Sequence, residues 1–350
     1  MPDYHPAKNR YDSPRTWFRQ CGRSGLSLPS ISLGCWHNFG APGRDSGRHT
    51  DESSMHANCQ RMLFEAFDHG VTHFDLANNY GPPAGSAETR VGRILKEDFA
   101  GYRDELILST KAGWDMWPGP YGNFGSRKHL LASLDQSLER LQVDYVDLFY
   151  SHRPCPQNTP LEETLGALDT AVRHGKALYT GISMYPGEQT ADVLRICAEN
   201  GLIKPIIHQP NYSMLDRWVE DHLLDVTDEQ GLGVIVFCPL AQGMLTDKYL
   251  DSIPKNSRAG HDDGFLSKDT ITTETQLMLN RLNDIANRRG QSLAQMALTW
   301  VLRDRRITSA LIGASRPEQI AENLKFIDQP TLDEAELSEI EEVLAMVKTD

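Results

Sequence analysis

Asp75 and Tyr80, five apart in HFDLANNYG, Lys111 in LILSTKAG and His152 in VDLFYSHR each lie at or just past the end of a short apolar run. An acid, a phenol, an ammonium and an imidazole are the parts a carbonyl reductase needs when its proton donor is a tyrosine. An unperturbed phenol titrates near 10, too weak an acid to protonate a developing alkoxide efficiently at neutral pH. A lysine ammonium about 4 Å away favours the phenolate by about 4 kcal/mol at an effective dielectric near 20, or about 3 pK units at most. Lys111 is therefore expected to bring Tyr80 into a useful range. Burial would strip the proton from such an ammonium, and the Asp75 carboxylate counters that. His152 then offers a hydrogen bond that orients a substrate carbonyl and stabilises charge building on its oxygen. Taken singly, Asp75 and Lys111 read as an ordinary ion pair, Tyr80 as a turn residue before Gly81-Pro82-Pro83, and His152 as a helix-entry residue. Arriving in this order, each past its own strand, the four point to an enzyme.

The elements that must position them alternate. Strand-like runs at 30–35, 72–76, 106–111, 145–150, 177–183, 205–209, 233–238 and 309–312 are separated by amphipathic stretches, the mark of repeated βα units and a parallel sheet. The clearest helix is 126–141, where Leu130, Leu131, Leu134, Leu138 and Leu141 form one apolar stripe. Thr159, Pro160 and Glu162 predict a helix with a threonine N-cap and proline at its first position. Eight such units favour a closed (β/α)8 TIM barrel, which gives every strand two neighbours. Its strand ends gather Asp75, Tyr80, Lys111 and His152 at one mouth. Residues 13–29 predict an N-terminal β-hairpin cap, and 272–289, 291–303 and 332–347 predict extra C-terminal helices. Segments 39–52, 113–127 and 251–270 are loops long enough to be functional. Residues 1–350 are expected to form one domain, with an ordered core at about 15–330.

Composition excludes some partners. A formal charge of −13 and a pI near 5.4 argue against nucleic acid and anionic membrane surfaces, so any phosphate site must be local. The polar start carries no apolar signal core and no eighteen apolar residues run together, which reads as a cytoplasmic protein. Six scattered cysteines lack CxxC spacing and read as reduced thiols. No HxH or HExxH occurs, and His152 with Cys155 makes an isolated HxxC, so no metal is expected.

The stretches LGCWHNFG, THFDLANNYGPPAGSAE, STKAGWDMWPGPYG, YSHR, HGKALYTGIS, IIHQPNYS, FCPLAQGMLTDKY and LIGASRPEQIAEN resemble the aldo-keto reductases. The similarity is to the branch that holds potassium-channel β subunits and bacterial L-glyceraldehyde 3-phosphate reductases, and spans about residues 15 to 330; WHNFG and WDMWPGPYG look most like the latter group. The resemblance implies a barrel that binds NADPH without a Rossmann domain, and no GxGxxG stands between a strand and a helix here. Ser315 is placed as N-cap of the helix opening at Arg316-Pro317-Glu318, where amides and helix dipole face an anion. By motif, Gly313, Ser315, Arg316, Gln319, Glu322 and Asn323 would hold the adenosine 2′-phosphate and adenine. The run Phe237, Cys238, Pro239, Leu240, Ala241, Gln242, Gly243 matches the pyrophosphate loop, with Lys248 and Arg258 closing over the phosphates. Tyr212 is expected to stack under the nicotinamide, Ser183 and Gln209 to bond its carboxamide beside Asp75, and Trp36 to border cofactor and substrate. Met184 stands where relatives commonly carry a second polar residue.

The resemblance further implies NADPH-dependent reduction of L-glyceraldehyde 3-phosphate, methylglyoxal and other small aldehydes. Trp36, Tyr80, Trp114, Met116, Trp117, Tyr121 and His152 are the expected pocket, with Arg153 a candidate cation; the loop aromatics serve equally well as anchors on the barrel. The rival reading is a nicotinamide-sensing, channel-β-like binding subunit with slow turnover. Relatives of this branch form tetramers or larger rings, so a homo-oligomer is expected.

Overall fold

In the computed structural model, which describes residues 4–12, 17–43, 49–255, 257–260 and 266–346, all eight expected strand runs form strands. A hairpin of β1 (Phe18–Gln20) and β2 (Ser27–Pro29) precedes β3 (Ile31–Gly34), β4 (His73–Asp75), β5 (Ile107–Ala112), β6 (Val146–Ser151), β7 (Ala177–Ser183), β8 (Ile207–Gln209), β9 (Gly233–Phe237) and β10 (Ser309–Ile312). The last eight close into a barrel of parallel neighbours, β10 pairing both β9 and β3.

Around it run α1 (Glu52–Asp68), α2 (Ser86–Asp98), α3 (Arg127–Leu141), α4 (Leu161–Arg173), α5 (Gly187–Asn200), α6 (Leu223–Gln230), α7 (Thr273–Arg288), α8 (Leu293–Val301), α9 (Pro317–Leu324) and α10 (Glu334–Leu344). The expected stripe on α3 packs inward, with Leu130, Leu134 and Leu141 fully buried, and Ser126 accepts from the His129 amide as N-cap. α4 starts one residue later than its sequence pattern predicts: Pro160 is the N-cap, and the Thr159 hydroxyl donates to the Phe124 carbonyl in the loop before α3. The extra helices are α7, α8 and α10; α8 is buried along its whole length behind a Ser292–Gln295 capping box. Among the described residues no helix is long and apolar enough to cross a membrane, and no group of His, Cys, Asp and Glu could hold a metal ion.

The hairpin plugs one end. Cys21 and Leu28 join Leu148, Tyr150, Ile207, Ile235 and Leu311 in a cluster inside the barrel, and the Arg23 amide donates to Gly231 just before β9. The open end is therefore where the strands finish, the side that carries function in barrels of this kind. Gly181 leaves room in this cluster: a Cβ there would lie 2.4 Å from the Tyr150 ring.

Side chains alternate in and out along each strand, and the barrel interior divides into two walls. One is the apolar cluster just described. The other is polar: Ser32, His73, Asp75, Ser109, Lys111 and Ser309, all fully buried. Such a wall is tolerable only when its members satisfy one another, and they do, with Ser309 to Ser32 at 2.8 Å, Ser32 to His73 at 3.0 Å and His73 to Ser109 at 2.9 Å.

His73 here and His208 on β8 are both fully buried, and burial pushes each imidazole down to about 4. Below the ordinary histidine value near 6.5 the unfolded chain takes up protons that the native state refuses, so stability must fall as pH falls. Each histidine removes about 3 kcal/mol by the time the pH reaches its folded value. The urea midpoint is accordingly expected to drop steadily from pH 7 to pH 5; a flat midpoint over that interval contradicts the prediction.

Candidate active site

β4 and β5 pair with Asp75 opposite Ser109, so Lys111, two residues further along β5, reaches over the end of β4. Its ammonium donates to Asp75 Oδ2 at 2.5 Å, to the Leu76 carbonyl at 2.7 Å and to the Tyr80 hydroxyl at 3.5 Å. Asp75 Oδ1 accepts from Ser109 Oγ at 2.6 Å and from Gln209 Nε2 at 3.1 Å. Tyr80 is held by the turn that leads into α2, its amide on the Ala77 carbonyl and its own carbonyl accepting from Gly85. His152 follows β6, tied by its amide to Ala112, with its ring centroid 5.8 Å from that of Tyr80. The four residues read from the sequence thus meet at the mouth.

Their charges differ from the expectation in one respect. Burial pushes the Lys111 ammonium down, opposed by Asp75. Burial, reinforced by Asp75, pushes the Tyr80 phenol well above its ordinary value. In the resting site burial, with the Asp75 charge next, outweighs the pull of the ammonium on the phenol. Tyr80 is therefore a protonated phenol at neutral pH, loaded as a donor. Burial, with Lys111 and Arg153 nearby, keeps the His152 imidazole far below its usual range, so the ring is neutral and retains one N–H to donate.

The aromatic rim sorts itself. Trp36 stands 6.3 Å from the Tyr80 ring and Trp114 6.3 Å from the His152 ring, edge on, so both border the mouth. Met116 closes a turn of the same loop through Gly122. Trp117 packs on His129 at 5.1 Å and the exposed Tyr121 lies under the Lys128 ammonium, so these two anchor the loop to α3. Arg153 is not positioned as a cation awaiting a substrate. Its Nε donates to the Gly113 carbonyl, its Nη2 to Asn123 Oδ1, and its plane covers the Trp114 ring at 3.6 Å. It fixes the wall instead.

Around strands β7 to β10 the expected cofactor residues divide as well. Ser183 and Gln209 sit at the mouth, Ser183 Oγ donating to the Gln209 carbonyl at 2.7 Å. Met184 is exposed in the left-handed region at φ 61°, a conformation that favours Asn over Met. Tyr212 cannot stack on a nicotinamide: it is fully buried in the outer core, and its hydroxyl is claimed by Glu220 at 2.5 Å and Arg303 at 3.1 Å. Phe237, half-buried at the end of β9 and packed on the interior cluster, has a ring at the mouth instead.

Beyond Phe237 the backbone turns sharply, with Cys238, Ala241 and Gln242 at positive φ and Gly243 at φ 101° around Pro239 and Leu240. Such strain, about 1–3 kcal/mol per non-glycine residue, collects at ligand clamps. Lys248 is exposed nearby; the Arg258 side chain lies outside the described residues.

Arg316, not Ser315, is the N-cap of α9. The Ser315 amide and hydroxyl both bond Gln319 Oε1, at 2.8 and 3.1 Å, which folds Gly313–Ser315 against the helix. Asn38 and Asn58, not flagged by the sequence reading, hold that turn through the Ala314 and Ser315 carbonyls at 2.7 and 3.0 Å. Asn323 is buried, and the surface carboxylate of Glu322 pairs with Lys325. Among the described residues the exposed Arg316 guanidinium pairs with the exposed Glu318, at 3.6 Å, a partner it can exchange for a phosphate. Together with the positive end of α9, these residues fit a dinucleotide.

The aldo/keto reductase family model matches residues 30–345. The chain is 53% identical over 333 residues to the L-glyceraldehyde 3-phosphate reductase of Escherichia coli K12, covering 94% of this chain and 92% of that one. It is 36% identical over 335 residues to a putative voltage-gated potassium channel subunit beta of Schizosaccharomyces pombe, covering 93% of each. A probable subunit of the same kind from Oryza sativa is 35% identical over 314 residues, covering 89% of this chain and 91% of the relative.

Proposed function

Because the chain belongs to the aldo/keto reductase family and is an oxidoreductase, we propose that it reduces small aldehydes with NADPH, L-glyceraldehyde 3-phosphate first and methylglyoxal also, with Tyr80 as proton donor. The observation that carries the chemistry is the Lys111 ammonium held between the Asp75 carboxylate and the Tyr80 hydroxyl beside a neutral His152. A bound nicotinamide supplies the hydride. His152 and Tyr80 orient the substrate oxygen, Tyr80 gives it a proton, and Lys111 stabilises the phenolate left behind. Phe237 offers the ring surface that Tyr212 lacks.

The substrate rests on the 53% identity to the L-glyceraldehyde 3-phosphate reductase of Escherichia coli. Comparing the two glyceraldehyde 3-phosphate enantiomers and methylglyoxal with NADPH tests it. The L enantiomer is expected to lead the D by at least about tenfold in kcat/KM, the worth of one well-placed contact; equal values remove the assignment. A cofactor-binding subunit, favoured by the 35–36% relatives, would bind NADPH in that assay yet turn over very slowly.

NADPH over NADH rests on Arg316. Arg316→Ala is expected to weaken NADPH binding about 10- to 100-fold, the cost of one charge-assisted contact, and to leave NADH within about twofold. Equal loss for both in fluorescence titrations would mean that the guanidinium does not meet the 2′-phosphate. The reading extends to a cytoplasmic homo-oligomer: six free thiols suit a reducing compartment, and light scattering tests the assembly.

A further inference from the structure

The polar wall of the barrel is a row with a direction. Ser109 Oγ lies 2.6 Å from Asp75 Oδ1, a distance that needs a proton between the oxygens, and a carboxylate can only accept. Ser109 therefore donates to Asp75 and must accept from His73 Nε2 at 2.9 Å. Burial keeps the His73 imidazole neutral, so with its proton on Nε2 the Nδ1 carries a lone pair, and Ser32 must donate to it at 3.0 Å. Ser32 in turn accepts from Ser309 at 2.8 Å. The opposite tautomer would leave two oxygens facing each other at 2.6 Å with no hydrogen between them. Ser309 and Ser32 are fully buried, so the row does not open to solvent and is not a path for protons from outside. It delivers polarity.

We propose that Ser109 and His73 are positioning residues of the catalytic site: the row Ser309, Ser32, His73, Ser109 points every proton at Asp75 and fixes the anion that holds the charge on Lys111. This rests on the catalytic reading of Asp75, Lys111 and Tyr80. Without the Ser109 donor, the proton shared by Asp75 and Lys111 shifts toward the carboxyl, and the phenolate of Tyr80 loses its cation. The influence of each member declines with its distance from Asp75.

Two measurements test the row. The imidazole nitrogen NMR spectrum of the full-length protein, with His73 assigned through a His73→Gln variant, is expected to show His73 protonated on Nε2 and bare on Nδ1; the reverse tautomer overturns the proposal. In steady-state assays Ser109→Ala is expected to lower kcat about tenfold, one lost hydrogen bond to a charged group, with NADPH affinity unchanged. His73→Leu should lower kcat by about threefold, a fraction of that bond. Ser109→Thr and His73→Gln, which keep a donor at each place, should return kcat to within about twofold.

If Ser109→Ala retains parental kcat, or if Thr fails to rescue while NADPH affinity and Tm fall together, the residues are merely structural and the proposal fails. Should Ser109→Ala not fold, the contrast between His73→Leu and His73→Gln decides in its place. Tyr80→Phe run alongside separates the two levels. Parental turnover in that variant removes the catalytic reading itself, whereas its inactivity beside a fully active Ser109→Ala removes only the row.

Discussion

Tyr80→Phe is expected to lower kcat for a short aldehyde by about 10²- to 10⁴-fold, the usual worth of a positioned general acid, with NADPH affinity left within about twofold. The substitution keeps the half-buried ring and its place beside Trp36 and His152. What it deletes is the hydroxyl that burial holds protonated and that the Lys111 ammonium stands 3.5 Å from. His152 cannot substitute, since a neutral imidazole offers a hydrogen bond but holds its remaining proton too tightly to transfer it. Steady-state rates and quenching of tryptophan fluorescence by NADPH separate the two effects. Aldehyde reduction at the parental rate would sink Tyr80 as the donor.

The second large effect concerns the pair beneath it. Lys111→Met leaves the fully buried Asp75 carboxylate with hydrogen bonds from Ser109 and Gln209 and no cation. Asp75→Asn leaves the ammonium without its counter-charge. Each single change is expected to cost about 3–5 kcal/mol of stability, because a buried charge stripped of its partner is worse than none. The double variant Asp75→Asn/Lys111→Met should recover most of that loss, giving a large coupling energy in a double-mutant cycle, and still be inactive. Urea midpoints of the four proteins provide the numbers. Additive losses would show that the two groups do not act as a unit.

All eight barrel strands were legible because short runs rich in β-branched, aromatic and other apolar residues recur between helical patterns and turn residues, even where Ser32, His73, Ser109 or Lys111 interrupts them. The tetrad was legible because each member stands at or just past the end of its own run. Helix starts were less so. At Thr159-Pro160 and Ser315-Arg316-Pro317 the one-dimensional pattern allows either residue before the helix to cap it. The first hydroxyl went to a partner distant in sequence, the Phe124 carbonyl for Thr159, and the second to a side chain one turn into the helix, Gln319 for Ser315.

Tyr212 was misplaced for a related reason: a tyrosine after a strand looks alike whichever side it faces. Its hydroxyl is claimed by Glu220 and by Arg303, 91 residues away. His73 and Ser109 were within reach of the sequence. Two residues before Asp75 and Lys111 on their strands, they share the same inward face by the period of two, and a histidine there is an unusual filling for a barrel.

The two walls of the barrel interior obey different rules of substitution. Across Leu148, Ile207, Ile235 and Leu311, apolar side chains of similar summed volume can replace one another with modest loss. Among Ser32, His73, Ser109 and Ser309 any change that removes the donor or the acceptor strands a neighbour. Neutral drift therefore accumulates mainly on one wall, and a saturation library sorted for folded protein should come back permissive on the first and confined on the second to residues that keep a donor and an acceptor.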